Sequence, residues 1–217
     1  MNIEELVKSK GYNQRIMYIS DYGSKVYGTL TKKSDTDVVV ILDSDDYFYE
    51  VSVFEEHKLD LHIISFREFE RLLQKHDIMA LETYYQFPRS FQSLFDFNLI
   101  HDTLRRSVSS VCGNSWSKAR KKLEIPEESD YIGIKSLFHS IRILSYGIDL
   151  ARDGKIDFKN VLIDAKSGEK ISCSELWEAI QEQYESGWRW QEFKAHYTPI
   201  QNANATLFRK IAQLDLG

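Results

Sequence analysis

The chain has 217 residues, of which 42% are hydrophobic and 28% charged, a balance that excludes a disordered protein and leaves ample material for a core. A formal net charge of −5 excludes a surface coated with basic residues for indiscriminate nucleic-acid binding, though not a local basic patch. Two cysteines, Cys112 and Cys173, show neither metal-ligand spacing nor a disulfide framework, and neither a signal-peptide core nor a membrane-spanning run is present, so a cytoplasmic setting is expected.

In chain order, residues 2–10 are predicted as a short helix, with Asn2 as its cap, Glu4 and Glu5 in its first turn and Gly11 past its end. Strands are predicted over 15–20, 37–42, 47–54 and 58–65, the second and fourth (DVVVIL and KLDLHIIS) carrying the strongest signal. Apolar residues at three- and four-residue spacing then predict helices over 66–75 and 77–87, with a break at Pro88. From about residue 101 the pattern is helical over 101–112, 115–124, 130–152, 173–187 and 203–213. An irregular excursion over 154–169 contains one extended piece at 160–164. The expectation is therefore an α/β domain over 1–100 and a helical domain over 101–217.

The chemistry concentrates in DYGSKVYGTLTKKSDTDVVVIL, residues 21–42. Asp35 and Asp37 stand one residue apart at the mouth of an apolar strand, where a carboxylate is costly unless something cationic meets it. In KLDLHIIS, Asp60, His62 and Ile64 share one face of a strand, while Leu59, Leu61 and Ile63 share the other. If the two strands are neighbours, Asp35, Asp37 and Asp60 converge. Hard oxygen donors of this kind suit Mg²⁺, and two such ions about 4 Å apart would clamp the attacking and leaving oxygens of a phosphoryl-type transfer. Glu55 and Glu56 are alternatives to Asp60 if the register slips, on a more polar stretch; His62 reads as a sheet histidine rather than a metal ligand.

Upstream, Gly23-Ser24 forms a tight turn opening a short helix. A glycine there admits backbone close to a phosphate, and exposed amides at a helix start favour an anion. Lys25, Lys32 and Lys33 supply nearby charge. Taken singly, the turn is an ordinary strand-to-helix connection and the aspartates a capped loop; the combination is what points to chemistry.

Farther along, Lys135, His139, Arg142 and Tyr146 make one stripe of a helix, and Leu137, Ile141, Leu144 and Ile148 the opposite one. The polar stripe is either a solvated face or a set facing a cleft, where Lys135 and the planar fork of Arg142 meet phosphates. Lys118, Arg120, Lys121 and Lys122 form a basic run that is either solvent-facing or a salt-sensitive contact to nucleic acid or triphosphate. Trp188 and Trp190 read as packing.

Gly-Ser, ten residues, then Asp-Thr-Asp before an apolar run (Gly23, Ser24, Asp35, Asp37) resembles the signature of the DNA polymerase β-like nucleotidyltransferase superfamily. Gly28 and Ser34 resemble its minimal nucleotidyltransferase subtype. Asp60 fits the family's third carboxylate, and His139-Ser-Ile-Arg142 resembles a His-x-x-Arg pattern in predicted bacterial and phage nucleotidyltransferases. The resemblance implies an α+β fold, a mixed sheet flanked by helices and followed by a mostly helical domain. It implies Asp35, Asp37 and Asp60 as catalytic metal ligands, with Mg²⁺ or Mn²⁺ as cofactor. It implies Gly23, Ser24, Lys25, Ser34, Lys135, His139 and Arg142 on the nucleotide. The expected reaction moves a nucleoside monophosphate from an NTP such as ATP to an acceptor hydroxyl, favoured as an RNA end, with release of pyrophosphate. A protein acceptor receiving AMP, or a non-catalytic nucleotide-binding or antitoxin-like module, are the alternatives.

Overall fold

The computed structural model describes residues 2–31, 34–125 and 130–214. The chain divides into two compact units, one made of the residues up to Val26 together with Leu30–Asn98, the other of Tyr27–Thr29 together with the residues from Leu99 onward.

The first unit is built on a four-stranded sheet of β1 (Ile16–Tyr22), β2 (Thr36–Leu42), β3 (Tyr49–Phe54) and β4 (Leu59–Ser65), in the order β1-β2-β4-β3. The central pair β2/β4 is parallel and the outer pairs are antiparallel, so the sheet is mixed. The architecture is α+β, as expected. Alternation along the two central strands sorts their residues by face. Val38, Val40, Leu42, Leu59, Leu61 and Ile63 form a buried layer with Val7 of helix α1 (Ile3–Ser9). The opposite face, at its Ile41–Ile64 end, is covered by α3 (Phe66–Gln74) and α4 (Ile78–Tyr84). Asn2, Ser65 and Asp77 cap α1, α3 and α4 through their side-chain oxygens, stopping these short helices from fraying. The remaining elements are α2 (Ser24–Tyr27), which leads out of β1, and α5 (Arg89–Gln92), which begins right after the break at Pro88.

The second unit centres on two long helices, α6 (His101–Glu124) and α7 (Asp130–Asp153), followed by a β5/β6 hairpin (Asn160–Asp164 and Glu169–Ser172), α8 (Cys173–Glu185) and α9 (Trp190–Leu214). Residues 101–124 are one helix rather than two: Leu104, Val108, Cys112, Ala119 and Leu123 line a continuous buried stripe, which outweighs the roughly 1 kcal/mol helix penalty of Gly113. Likewise α9 runs far earlier than residue 203, through Pro199. Helix α7 is buried from Ser136 to Ala151 on nearly every side, and a Cβ on its Gly147 would press within 3.0 Å of both methyls of Val108.

The polar groups α7 carries inward find partners from later elements. Ser145 Oγ accepts from the Leu162 amide at 2.8 Å, Gln201 donates to Ser140 Oγ at 2.9 Å, and Lys170 Nζ reaches both Asp149 oxygens at 2.8 Å. Those partners come from the hairpin and from the part of α9 ahead of residue 203, where local pattern is weak. Among the described residues, no helix is long and apolar enough to cross a membrane.

Candidate active site

Antiparallel pairing sets Tyr22 at the end of β1 opposite Asp37 on β2, so the residue after Tyr22 lands beside that aspartate. That residue is Gly23, at φ +68°, a conformation L side chains rarely adopt. A Cβ built there would lie 3.1 Å from Asp37 Cγ and overlap Oδ2, so glycine is required by backbone and by space alike. Ser24 then opens α2, whose first turn is closed by Val26 N–H donating to the Gly23 carbonyl at 3.0 Å.

On the other side of β2, the parallel pairing puts Asp37 directly opposite Asp60 and Val39 opposite His62. Asp37, Asp60 and His62 therefore share a face near the start of both strands, and both carboxylates are half-buried. Asp35 precedes β2, which begins at Thr36, and is exposed. The expected convergence of Asp35, Asp37 and Asp60 is thus not formed: among the described residues no group of three or more His, Cys, Asp or Glu side chains is gathered to hold a metal. The pair the sheet does juxtapose has the donor chemistry for a hard cation. Mg²⁺ takes one or two carboxylates and completes its octahedron with water and substrate phosphate. Glu55 and Glu56 lie in a 3-10 turn ahead of β4, outside the register that brings Asp60 to Asp37.

His62 is held from several sides. Its Nδ1 lies 2.7 Å from Tyr49 Oη, its Nε2 lies 3.7 Å from Asp37 Oδ1, and the ring meets Tyr22 edge-on with centroids 5.6 Å apart. Burial, then the nearby Asp77 and Asp37 charges, push the Tyr49 phenol above its usual range, so it keeps its proton at neutral pH. Tyr49 went unnoticed in the sequence because nothing in its flanks announces a partner; only the β3/β4 register, with Val51 opposite His62, brings it within diagonal reach.

The other expected nucleotide ligands of this unit occupy local roles. Lys25 Nζ pairs with Asp21 at 2.8 Å on an exposed surface, the kind of ion pair that exchanges partners at little cost. Ser34 closes the turn before β2, its Oγ accepting from the Thr31 amide at 3.0 Å. Lys32 and Lys33 lie outside the described residues.

Lys135, His139 and Arg142 belong to the second unit. The stripe drawn through them is not a uniformly solvated face: Lys135 is exposed, Arg142 is 4% exposed and Tyr146 1%. The Arg142 guanidinium lies 3.7 Å from the centroid of the Tyr27 ring, which also meets His139 edge-on. Burial, and then the charges of Arg142, Lys135 and Lys118, hold the His139 imidazole well below its usual range, so it is neutral. Lys118, Arg120 and Lys121 are exposed on α6. Trp190 is buried against Trp116, and Trp188 packs on Phe193 and His196, in keeping with packing roles.

The family comparison falls on the unit that holds Gly23, Asp37 and Asp60. Residues 1–99 match the nucleotidyltransferase domain family. The resemblance carried by Gly23, Ser24, Asp35 and Asp37 is borne out over that stretch of the nucleotidyltransferase domain. No curated protein matches the chain. Among solved structures, a nucleotidyltransferase-like protein from Exiguobacterium sibiricum 255-15 is similar over 98% of this chain and 75% of its own, at 9% identity and a TM-score of 0.32.

Proposed function

We propose that the chain transfers a nucleoside monophosphate from an NTP to an acceptor hydroxyl, with Gly23-Ser24 seating the triphosphate beside Asp37 and Asp60. The observation that carries this reading is the pair of registers that set Asp37 against the Gly23 turn on one side and Asp60 on the other. The match to the nucleotidyltransferase domain supports the reaction class. Asp37 and Asp60 hold a divalent cation, Mg²⁺ or Mn²⁺, with Asp35 joining them from the flank of β2. When bound, that cation neutralises charge building on the phosphate oxygens. The chain's own residues orient: Gly23 admits backbone to the phosphates, Ser24 and Ser34 offer hydroxyl donors, Lys25 exchanges Asp21 for phosphate, and Asp60 accepts the acceptor's proton. Phosphoryl-type transfer needs little covalent help beyond such positioning and charge.

An RNA end is the favoured acceptor, supported by the exposed Lys118, Arg120 and Lys121 on α6. Lys135, His139 and Arg142 are proposed nucleotide ligands on the strength of the His-x-x-Arg resemblance. Lys135 gives the clean test, because an exposed side chain can be removed within about 0.5 kcal/mol of native stability. Lys135→Ala is expected to raise the KM for NTP with no shift in melting temperature.

The deciding experiment incubates the protein and Mg²⁺ with each α-labelled NTP in turn, with RNA, protein extract or no acceptor. Label entering RNA, and lost in Asp37→Ala and Asp35→Ala, is the expected outcome. Label entering protein would move the acceptor to a protein hydroxyl. Full activity in the Asp37→Ala variant would remove the site assignment.

A further inference from the structure

Two oxygens of one carboxylate face different neighbours. Asp37 Oδ2 is the atom nearest the Gly23 turn, whereas Oδ1 is the atom nearest His62 Nε2, at 3.7 Å. His62 and Asp37 are both mostly covered, their side chains 14% and 25% exposed. On the far side of the imidazole, Tyr49 Oη sits 2.7 Å from Nδ1. The phenol can accept from an Nδ1–H or donate to a bare Nδ1; when it donates, the neutral imidazole carries its proton on Nε2, the nitrogen nearest Asp37. The tautomer in which Tyr49 donates puts the N–H on the nitrogen that lies 3.7 Å from Asp37 Oδ1. At 3.7 Å that N–H is not yet hydrogen-bonded, but a shift of under 1 Å closes it, as such contacts tighten when a site fills. The stacked Tyr49 ring and the edge-on Tyr22 ring restrict the imidazole's orientation.

We infer that His62 is a positioning residue: fixed by Tyr49 as the donor, it holds Asp37 Oδ1 and thereby leaves Oδ2, the oxygen beside Gly23, to face the divalent cation that Asp37 and Asp60 would hold. The inference rests on the proposed metal-dependent transfer and adds two residues to it, both acting through Asp37. A carboxylate with a free rotor about Cβ–Cγ presents either oxygen; one oriented by a fixed N–H presents a defined one. Partners that orient metal ligands in this way are commonly worth about 10–100-fold in metal affinity.

The test is a titration of the nucleotide-free full chain with Mn²⁺ alone, followed by electron paramagnetic resonance, for the native protein and for His62→Leu, His62→Gln, Tyr49→Phe and Asp37→Asn. His62→Leu removes the donor and is expected to weaken Mn²⁺ binding about 10–100-fold. His62→Gln keeps an amide N–H near the place of Nε2 and is expected to recover most of that loss. Tyr49→Phe deletes only a hydroxyl at the β3 edge and is expected to weaken binding in the same direction with the fold intact. Native-like Mn²⁺ affinity in folded His62→Leu, or in Tyr49→Phe should His62→Leu fail to fold, would overturn the inference while leaving the site standing, provided Asp37→Asn loses the metal. Equal Mn²⁺ binding by native protein and Asp37→Asn, or none by either, would instead remove the site itself and the inference with it.

Discussion

Gly23 and Asp37 are fourteen residues apart in sequence and in contact distance in space, and each restricts what the other position can be. Gly23→Ala must place a Cβ at φ +68° and displace the Asp37 carboxylate. The left-handed conformation alone costs about 1–2 kcal/mol for a non-glycine residue, and a misplacement near 1 Å at a reacting centre costs about 10²-fold in rate. The expected result is a lower melting temperature together with a rate loss far larger than the stability loss, read by calorimetry and by the labelled-NTP assay. His139 offers a pH signature. Its folded pKa lies below the unfolded value of 6.5, so below that pH the unfolded chain binds the extra proton. Stability from this group is full above pH 6.5 and is lost as pH falls, by up to about 1.4 kcal/mol per unit. Denaturant titrations from about pH 7 to about pH 5 should show that slope in the native chain and a shallower one in His139→Gln. At this scale Gly23, Asp37 and Asp60 were legible because glycine at a turn and carboxylates beside an apolar strand are locally anomalous. The burial of Arg142 and Tyr146 was not, because α7 packs on several sides at once and a two-stripe pattern cannot convey that.

Among elements, the strands β2 and β4 could be read from apolar runs with polar flanks, and alternation correctly separated Asp60 and His62 from Leu59, Leu61 and Ile63. Which strand each one pairs with is a tertiary fact. A period of two assigns faces and leaves neighbours open, so the Asp37–Asp60 register had to come from the structure. The splitting of α6 and the shortening of α9 share a cause: Gly113 and Pro199 are local breakers whose cost is overridden by packing. The hairpin strand β6, four residues long and half-buried, carries too little pattern to announce itself. It ends at a device that does have a local signature, the capping box in which Ser172 and Glu175 satisfy each other's backbone amides at the start of α8. Ser172→Ala is expected to destabilise the chain by about 1 kcal/mol, and Glu175→Ala by less, measured by chemical denaturation.

For the molecule as a whole, the two units part at Asn98 and Leu99. What the sequence could not convey is a second traffic between them: the chain leaves the first unit after Val26, contributes Tyr27–Thr29 to the second, and returns at Leu30. Tyr27 is buried there under the Arg142 guanidinium, and the Lys159 amine would lie 3.4 Å from a Cβ on Gly28. In a fragment ending at residue 98, Tyr27–Thr29 would lack these partners. Amide exchange over residues 24–31 is then expected to be fast in the fragment and slow in the full chain; equal protection in both would assign these residues to the first unit. The same three residues bear on how such a gene can be rearranged. A crossover at codon 98 looks like a clean seam, yet the incoming carboxy-terminal half would have to supply a bed for a tyrosine encoded seventy codons upstream. The two segments are heritable as a matched pair, and a working chimera has to exchange codons 27–29 along with everything after 98.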